Sequence, residues 1–195
     1  TVHKSEIHFK ESFYKSISAE ARTKHGFNCS GIIFDELHTQ PNRELWDVLT
    51  TSVASRAQPL IVALTTAGHD TSSICYEVHE YALKVRDGSI DDPTFLPVIY
   101  AADQGDDWSI EETWRKANPG FGSICKSSYF EQEVRKAKAN PSHINTFKRL
   151  HLNIWTASKD SWISDAEFMQ GALPLPDDSY LKGLTCYDGR DLATT

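Results

Sequence analysis

The chain has 195 residues, 39% of them hydrophobic and 24% charged. That is enough apolar mass for one core-bearing domain, or for one domain plus the edge of another, and the composition excludes wholesale disorder. A formal net charge of -7 excludes a polybasic nucleic-acid coat, so any polyanion contact must come from a local patch. The longest apolar run, Leu60–Leu64, is strand-sized and far short of a membrane span. Cys29, Cys75, Cys125 and Cys186 form no CxxC pair and no zinc-site spacing, which suits reduced thiols in a cytoplasm. The chain starts at Thr1, its one methionine is Met169, and no signal-peptide pattern precedes the first strand. A piece of a longer protein is therefore expected.

Gly31-Ile32-Ile33-Phe34 is an apolar run that stops at Asp35-Glu36 and predicts a strand buried on both faces. Pro41-Asn42 opens a helix in which Leu45, Trp46, Leu49 and Val53 recur at helical spacing. Pro59 introduces a second buried strand, Leu60–Leu64, ending in Thr65-Thr66-Ala67-Gly68. Two apolar strands joined through a helix form a βαβ unit and a parallel sheet with helices on both faces. A helix is predicted over 72–86 and a third strand over 95–101. Further helices are predicted over 108–117, Ser127–Ala139 and 141–154. Residues 173–178 have linker composition, and a new strand opens at Gly183-Leu184-Thr185. Charge is segregated: eight acids lie between Leu83 and Thr113, and six Lys or Arg lie between Lys126 and His151. Two solvated faces, or a basic helix pair meeting a polyanion or acidic partner, would both account for that.

An apolar strand ending in Asp-Glu is the Walker B pattern of P-loop NTPases. It delivers both carboxylates to the C-terminal edge of a parallel sheet, where ligands bind in open α/β folds. Asp35 would hold Mg²⁺ with ATP, and Glu36 would polarise the attacking water. Thr65 and Thr66 sit at the tip of the next strand, where such enzymes carry a hydroxyl that senses the γ-phosphate. The competing reading is two ordinary strands running into solvated turns.

The string from Gly31 through Asp35-Glu36-Leu37-His38-Thr39-Gln40, followed by Gln58-Pro59-Leu60 and Thr65-Thr66-Ala67-Gly68, resembles the large terminase subunit of tailed bacteriophages. Trp114-Arg115-Lys116-Ala117-Asn118-Pro119, the run from Phe147 to Thr156 and Trp162-Ile163 extend the resemblance from about Ser16 to Asp191. Trp114, Trp155 and Trp162 are read as core packing.

The resemblance implies a P-loop NTPase-type α/β domain over 1–157, here without its Gly-rich phosphate loop, then a connecting segment over 158–182. The first strand of an RNase H-like nuclease would occupy 183–195. It implies a motor that hydrolyses ATP with Mg²⁺ to package viral double-stranded DNA. It also implies a Mg²⁺- or Mn²⁺-dependent nuclease that cuts concatemers, with Asp191 as first metal ligand and Asp188 as the competitor. The implied partners are the portal protein, a small terminase subunit and further copies in a ring, in the host cytoplasm and with no membrane. Ring ATPases take a positive charge from a neighbouring subunit, for which Arg22 and then Arg56 are candidates. Without the Gly-rich loop, residues 1–195 alone are expected to turn over negligible ATP. The rival function is a non-catalytic docking domain that keeps the fold.

Overall fold

The computed structural model describes residues 2–3, 5–18, 26–156, 169 and 182. The chain divides into two compact units, Thr1–Trp162 and Ile163–Thr195, and all the described residues except Met169 and Lys182 belong to the first. The stretch of linker composition at 173–178, the strand from Gly183, Trp162, Arg22, Asp188 and Asp191 lie outside the described residues.

An antiparallel meander opens the chain: β1 (Val2–His3), β2 (Glu6–Phe9) and β3 (Ser12–Lys15). Sequence reading passed over it, although Ile7, Phe9 and Phe13 alternate with polar residues as a strand requires. Phe9 pairs with Ser12 across a turn in which Lys10 takes a left-handed conformation, φ 53°. Glu6 ties the ladder across strands by accepting from Lys15 at 2.6 Å, which helps hold its carboxyl below the usual range.

β4 (Gly31–Asp35) and β5 (Leu60–Leu64) form the expected parallel pair, with α1 (Glu44–Ser52) in the connection between them. Asn42 Oδ1 accepts the Glu44 amide at 2.9 Å, and Glu44 and Asp47 put negative charge into the first turn. α2 (Ile74–Arg86) is capped by Ser73, whose hydroxyl accepts the Tyr76 amide, while Lys84 and Arg86 lie in the last turn. Leu45 and Leu49 of α1 and Ile74 and Cys75 of α2 close over Ile32 and Phe34 of β4, with Trp46 tilted against Phe34 at 4.9 Å between ring centroids.

The sheet departs from the expectation of two covered faces. Burial along β4 alternates, so that Ile32 and Phe34 are buried while Ile33 is 56% exposed. Leu60 and Leu64 of β5 are exposed as well, on the face they share with Ile33. Among the described residues, β4 is covered on one face only, and β5 is exposed at every position except the half-buried Val62. A continuous apolar run cannot distinguish one covered face from two, because it supplies apolar residues at both phases of the alternation.

Residues 95–101 form no strand. Pro93 and Pro97 remove two amide donors, and the end of this stretch bonds instead to the exit of the last helix. Ala102 N donates to Leu152 O at 3.0 Å, and the Tyr100 carbonyl accepts Asn153 Nδ2 at 2.8 Å. The following helices are α3 (Glu111–Ala117), α4 (Ser127–Ala139) and α5 (Ser142–Leu152). They build a second core in which Trp114 stacks on Phe130 at 5.4 Å and Phe130, Phe147 and Leu152 are almost wholly buried. Trp114 Nε1 donates to the Trp108 carbonyl at 2.9 Å, which satisfies the polar edge of a buried indole. Four of the segregated charges are in ion pairs among the described residues: Asp103 and Asp106 with Lys116, Glu111 with Arg115, and Lys136 with Glu133. Among the described residues no helix is long and apolar enough to cross a membrane.

Candidate functional site

The parallel register sets the geometry of the site. Asp35 pairs with Leu64, so Glu36 and Thr65 are the first residues beyond the ladder on adjacent strands and emerge at one sheet edge. This is the C-terminal edge, the ligand-binding edge of open α/β sheets. Asp35 and Glu36 are both exposed there.

Glu36 occupies a left-handed conformation, φ 53° and ψ 52°, which is uncommon for a residue with a side chain and costs about 1–2 kcal/mol. Its carbonyl accepts both the amide of Thr39 at 2.9 Å and the Thr39 hydroxyl at 2.8 Å, which fixes the bend. The bend starts a single 3₁₀ turn, Leu37–Thr39, whose Leu37 is 1% exposed and plugs into the first core. Burial of Leu37 beneath the turn leaves Glu36 and His38 on its accessible side.

His38 links the two strand tips. Its main-chain N–H donates to Thr65 Oγ1 at 3.1 Å, and its Nδ1 lies 3.0 Å from the same hydroxyl and 3.1 Å from Glu36 Oε2. The Thr65 hydroxyl also lies 2.9 Å from the Thr66 carbonyl, and the Cys75 thiol approaches it from α2 at 3.6 Å. Burial pushes the Cys75 thiol up; the Thr65 hydrogen bond opposes this and the Glu36 carboxylate adds a smaller upward push. Cys75 is therefore a protonated packing residue beside the site.

Thr66 differs from Thr65. Its Oγ1 is buried and has no hydrogen-bond partner among the described residues, which is unusual enough in a folded protein to mark a place where a polar ligand atom would fit. The next two residues are held from the second core. Ala67 N donates to Asn153 Oδ1 at 3.4 Å, Thr156 N reaches the Gly68 carbonyl at 3.5 Å, and Gly68 lies directly against the Trp155 ring. Asn153 is left-handed, φ 52°, at the C-terminus of α5, and this turn aims its amide at both Ala67 and Tyr100.

Of the residues singled out from sequence, the structure thus brings Asp35, Glu36, Thr65 and Thr66 to one edge. Arg56 lies elsewhere: its Nη2 donates to the Asn28 carbonyl at 2.5 Å, beyond the N-terminal end of β4. Asp35 supplies a hard carboxylate oxygen, the donor type magnesium prefers, and magnesium commonly takes only one or two protein carboxylates beside phosphate oxygens. Among the described residues no cluster of three or more His, Cys, Asp or Glu could hold a metal without such help. Sequence reading passed over His38 and Asn153. The signal for His38 was its place two residues after the acid pair; Asn153 carried none, because its partners are distant in sequence.

The arrangement defines an α/β protein whose parallel sheet carries an acid pair and a hydroxyl pair on adjacent strand tips. Sequence models of the terminase large subunit match the chain, the ATPase domain over residues 1–84 and the endonuclease domain over residues 89–195. The chain belongs to the terminase large subunit family. It is 31% identical over 132 residues to Protein YmfN of Escherichia coli (strain K12), covering 68% of this chain and 29% of that protein. To the terminase large subunit of Enterobacteria phage HK97 it is 28% identical over 165 residues, covering 83% of this chain and 32% of that one. The crystal structure of the HK97 bacteriophage large terminase superposes with a TM-score of 0.64 at 28% identity, over 73% of this chain and 29% of that structure. The chain therefore spans less than a third of the length of these relatives.

Proposed function

We propose that the protein carrying this chain is an ATP-driven motor that packages viral double-stranded DNA and cuts it with a metal-dependent nuclease. The observation that carries the ATPase part is the register that sets Asp35-Glu36 and Thr65-Thr66 side by side at the C-terminal edge of a parallel sheet. ATP with Mg²⁺ supplies the phosphoryl chemistry when bound. Asp35 would hold the metal, and Glu36 would accept a hydrogen bond from the attacking water and orient it. Thr65 and Thr66 read the phosphate end of the site, and the free Thr66 hydroxyl is suited to a phosphate oxygen. Double-stranded DNA, a portal, a small terminase subunit and a ring of copies in the host cytoplasm are the partners this reading requires. In that ring, Arg22 and Arg56 stay candidates for the charge supplied between subunits.

We assign residues 1–157 to the ATPase domain, although the endonuclease match begins at residue 89. The hydrogen bonds from Asn153 and Thr156 to Ala67 and Gly68 support that division, because they tie the second core to the tip of β5. The nuclease would begin with the strand from Gly183, with Asp191 as its first metal ligand.

The test is made in the full-length protein. Glu36→Gln keeps size and hydrogen bonding and is expected to bind ATP but lose turnover and packaging, whereas Asp35→Asn also weakens Mg²⁺-dependent binding. Asp191→Asn is expected to abolish Mg²⁺- or Mn²⁺-dependent plasmid cleavage and leave ATP turnover intact, with Asp188→Asn much milder. Near-normal hydrolysis by Glu36→Gln would return Asp35-Glu36 to an ordinary strand end.

A further inference from the structure

The basic stretch between Lys126 and His151 has no part in the site at the strand tips. It holds six Lys or Arg, and among the described residues only Lys136 of these is in an ion pair, with Glu133. Acids are not in short supply, since the chain carries 27 Asp and Glu against 20 Lys and Arg. On α3, by contrast, both cations are engaged, Arg115 with Glu111 and Lys116 with Asp103 and Asp106.

Two of the unpaired cations, Lys126 and Arg135, line an open cleft of about 670 Å³ along α4. Ser128, Tyr129, Gln132 and, from α5, His151 line it with them, and no Asp or Glu does. The five lining residues from 126 to 135 are exposed. Ser128, Gln132 and Arg135 recur at helical spacing and so share one face of α4. The acid best placed along the helix to neutralise this row is Glu131, four residues before Arg135. It accepts from Ser127 Oγ instead, at 3.1 Å, and among the described residues Arg135 has no ion pair.

From Lys126 to Arg135 the row extends about 14 Å along the helix axis. A single phosphate or carboxylate would meet one end of it, whereas duplex DNA offers one negative charge per about 1.7 Å of its axis. The neutral groups between the two cations also suit a phosphate backbone, whose oxygens take hydrogen bonds from Ser, Tyr and Gln as well as from Lys and Arg.

We infer that the α4 cleft is a contact site for the backbone of double-stranded DNA, with Lys126 and Arg135 each neutralising a phosphate. This rests on the packaging reading given above, and it puts DNA on the second core rather than at the strand tips. Phosphate contacts of this kind read no base sequence, which suits a motor that must move every part of a genome.

The experiment is equilibrium binding of a labelled duplex oligonucleotide to the full-length protein over a range of salt, without divalent metal so that the probe is not cut. Lys126→Gln and Arg135→Gln are each expected to make the slope of log K against log salt shallower by about one. The double variant should lose about two, and equally on probes of unrelated sequence. Lys138→Gln removes an exposed charge from the same helix outside the cleft and should change the slope little. Lys126→Arg combined with Arg135→Lys keeps both charges and should bind as the unmutated protein does. ATP turnover without DNA should be unchanged throughout, and where the double variant loses it the single variants decide. An unchanged slope in the Gln variants, or an equal loss from Lys138→Gln, would overturn the site and leave the packaging reading standing. So would binding of poly-glutamate that depends on Lys126 and Arg135 while duplex binding does not, which would assign the cleft to an acidic protein. If the unmutated protein binds no duplex, the packaging reading falls and this inference falls with it.

Discussion

Gly68 and Trp155 are in contact so close that a Cβ added at Gly68 would stand 2.8 Å from Cζ3 of the indole. The ring has little room to retreat. It is packed edge-on against Tyr76 at 4.9 Å and tilted over His79 at 5.6 Å, both on α2. The glycine after the Thr-Thr tip thus has a packing reason: it lets the segment leaving α5 lie on the strand end and brings the second core to the edge of the candidate site.

Gly68→Ala is accordingly expected to destabilise the protein by about 1–3 kcal/mol through overpacking. Trp155→Leu in the same chain should recover part of that loss. Chemical denaturation of the two single variants and the double variant measures the coupling. Additive losses would mean that the ring moves aside without cost.

Asn153 combines a left-handed backbone with two side-chain hydrogen bonds. Asn153→Gly keeps the backbone conformation and loses the bonds, whereas Asn153→Ala loses both. The alanine variant should be the less stable of the two by about 1 kcal/mol, since a Cβ in the left-handed region is penalised and glycine is not. Thermal unfolding of the pair checks the order.

Thr66→Val replaces a buried hydroxyl that has no partner among the described residues with a group of the same shape. Stability should hold or rise by up to about 1 kcal/mol, because an unsatisfied polar group leaves the interior. If that hydroxyl meets a phosphate oxygen, the same variant of the full-length protein should lose ATP turnover. Paired melting and phosphate-release assays separate the two effects, and a variant that is less stable yet fully active would contradict both.

Stability is expected to fall as pH drops below the range where a free histidine titrates. Burial holds both His79 and His151 below the usual histidine value, His79 beneath Trp155 and His151 among Tyr129, Phe130 and Phe147. The unfolded chain then binds more protons than the folded one between the lowered pKa and about 6.5, so stability rises with pH through that window. Their contribution is complete above it and lost below it. Urea midpoints from pH 7.5 down to pH 5 check this, and His151→Gln should flatten the slope while lowering the midpoint overall.

The strand pair, the helices around it and the Asp35-Glu36 and Thr65-Thr66 edge were legible in the sequence, because apolar periodicity and abrupt polar stops are local signals. The same locality explains the misses. Residues 95–101 have strand composition, yet Pro93 and Pro97 remove donors and the amides and carbonyls that follow are taken by the end of α5, fifty residues on. Ile33, Leu60 and Leu64 read as doubly buried although all three are exposed, because a run of apolar residues carries no information about what packs on either side. Thr65 and Thr66 look equivalent in the sequence, but one hydroxyl is engaged by His38, Thr66 and Cys75 and the other by nothing described. What the sequence alone determined is which residues end the strands. Only the tertiary structure decided that a left-handed Glu36 and a 3₁₀ turn bring His38 between those ends, because a hydrogen bond between residues 38 and 65 depends on a strand register that neither segment encodes by itself.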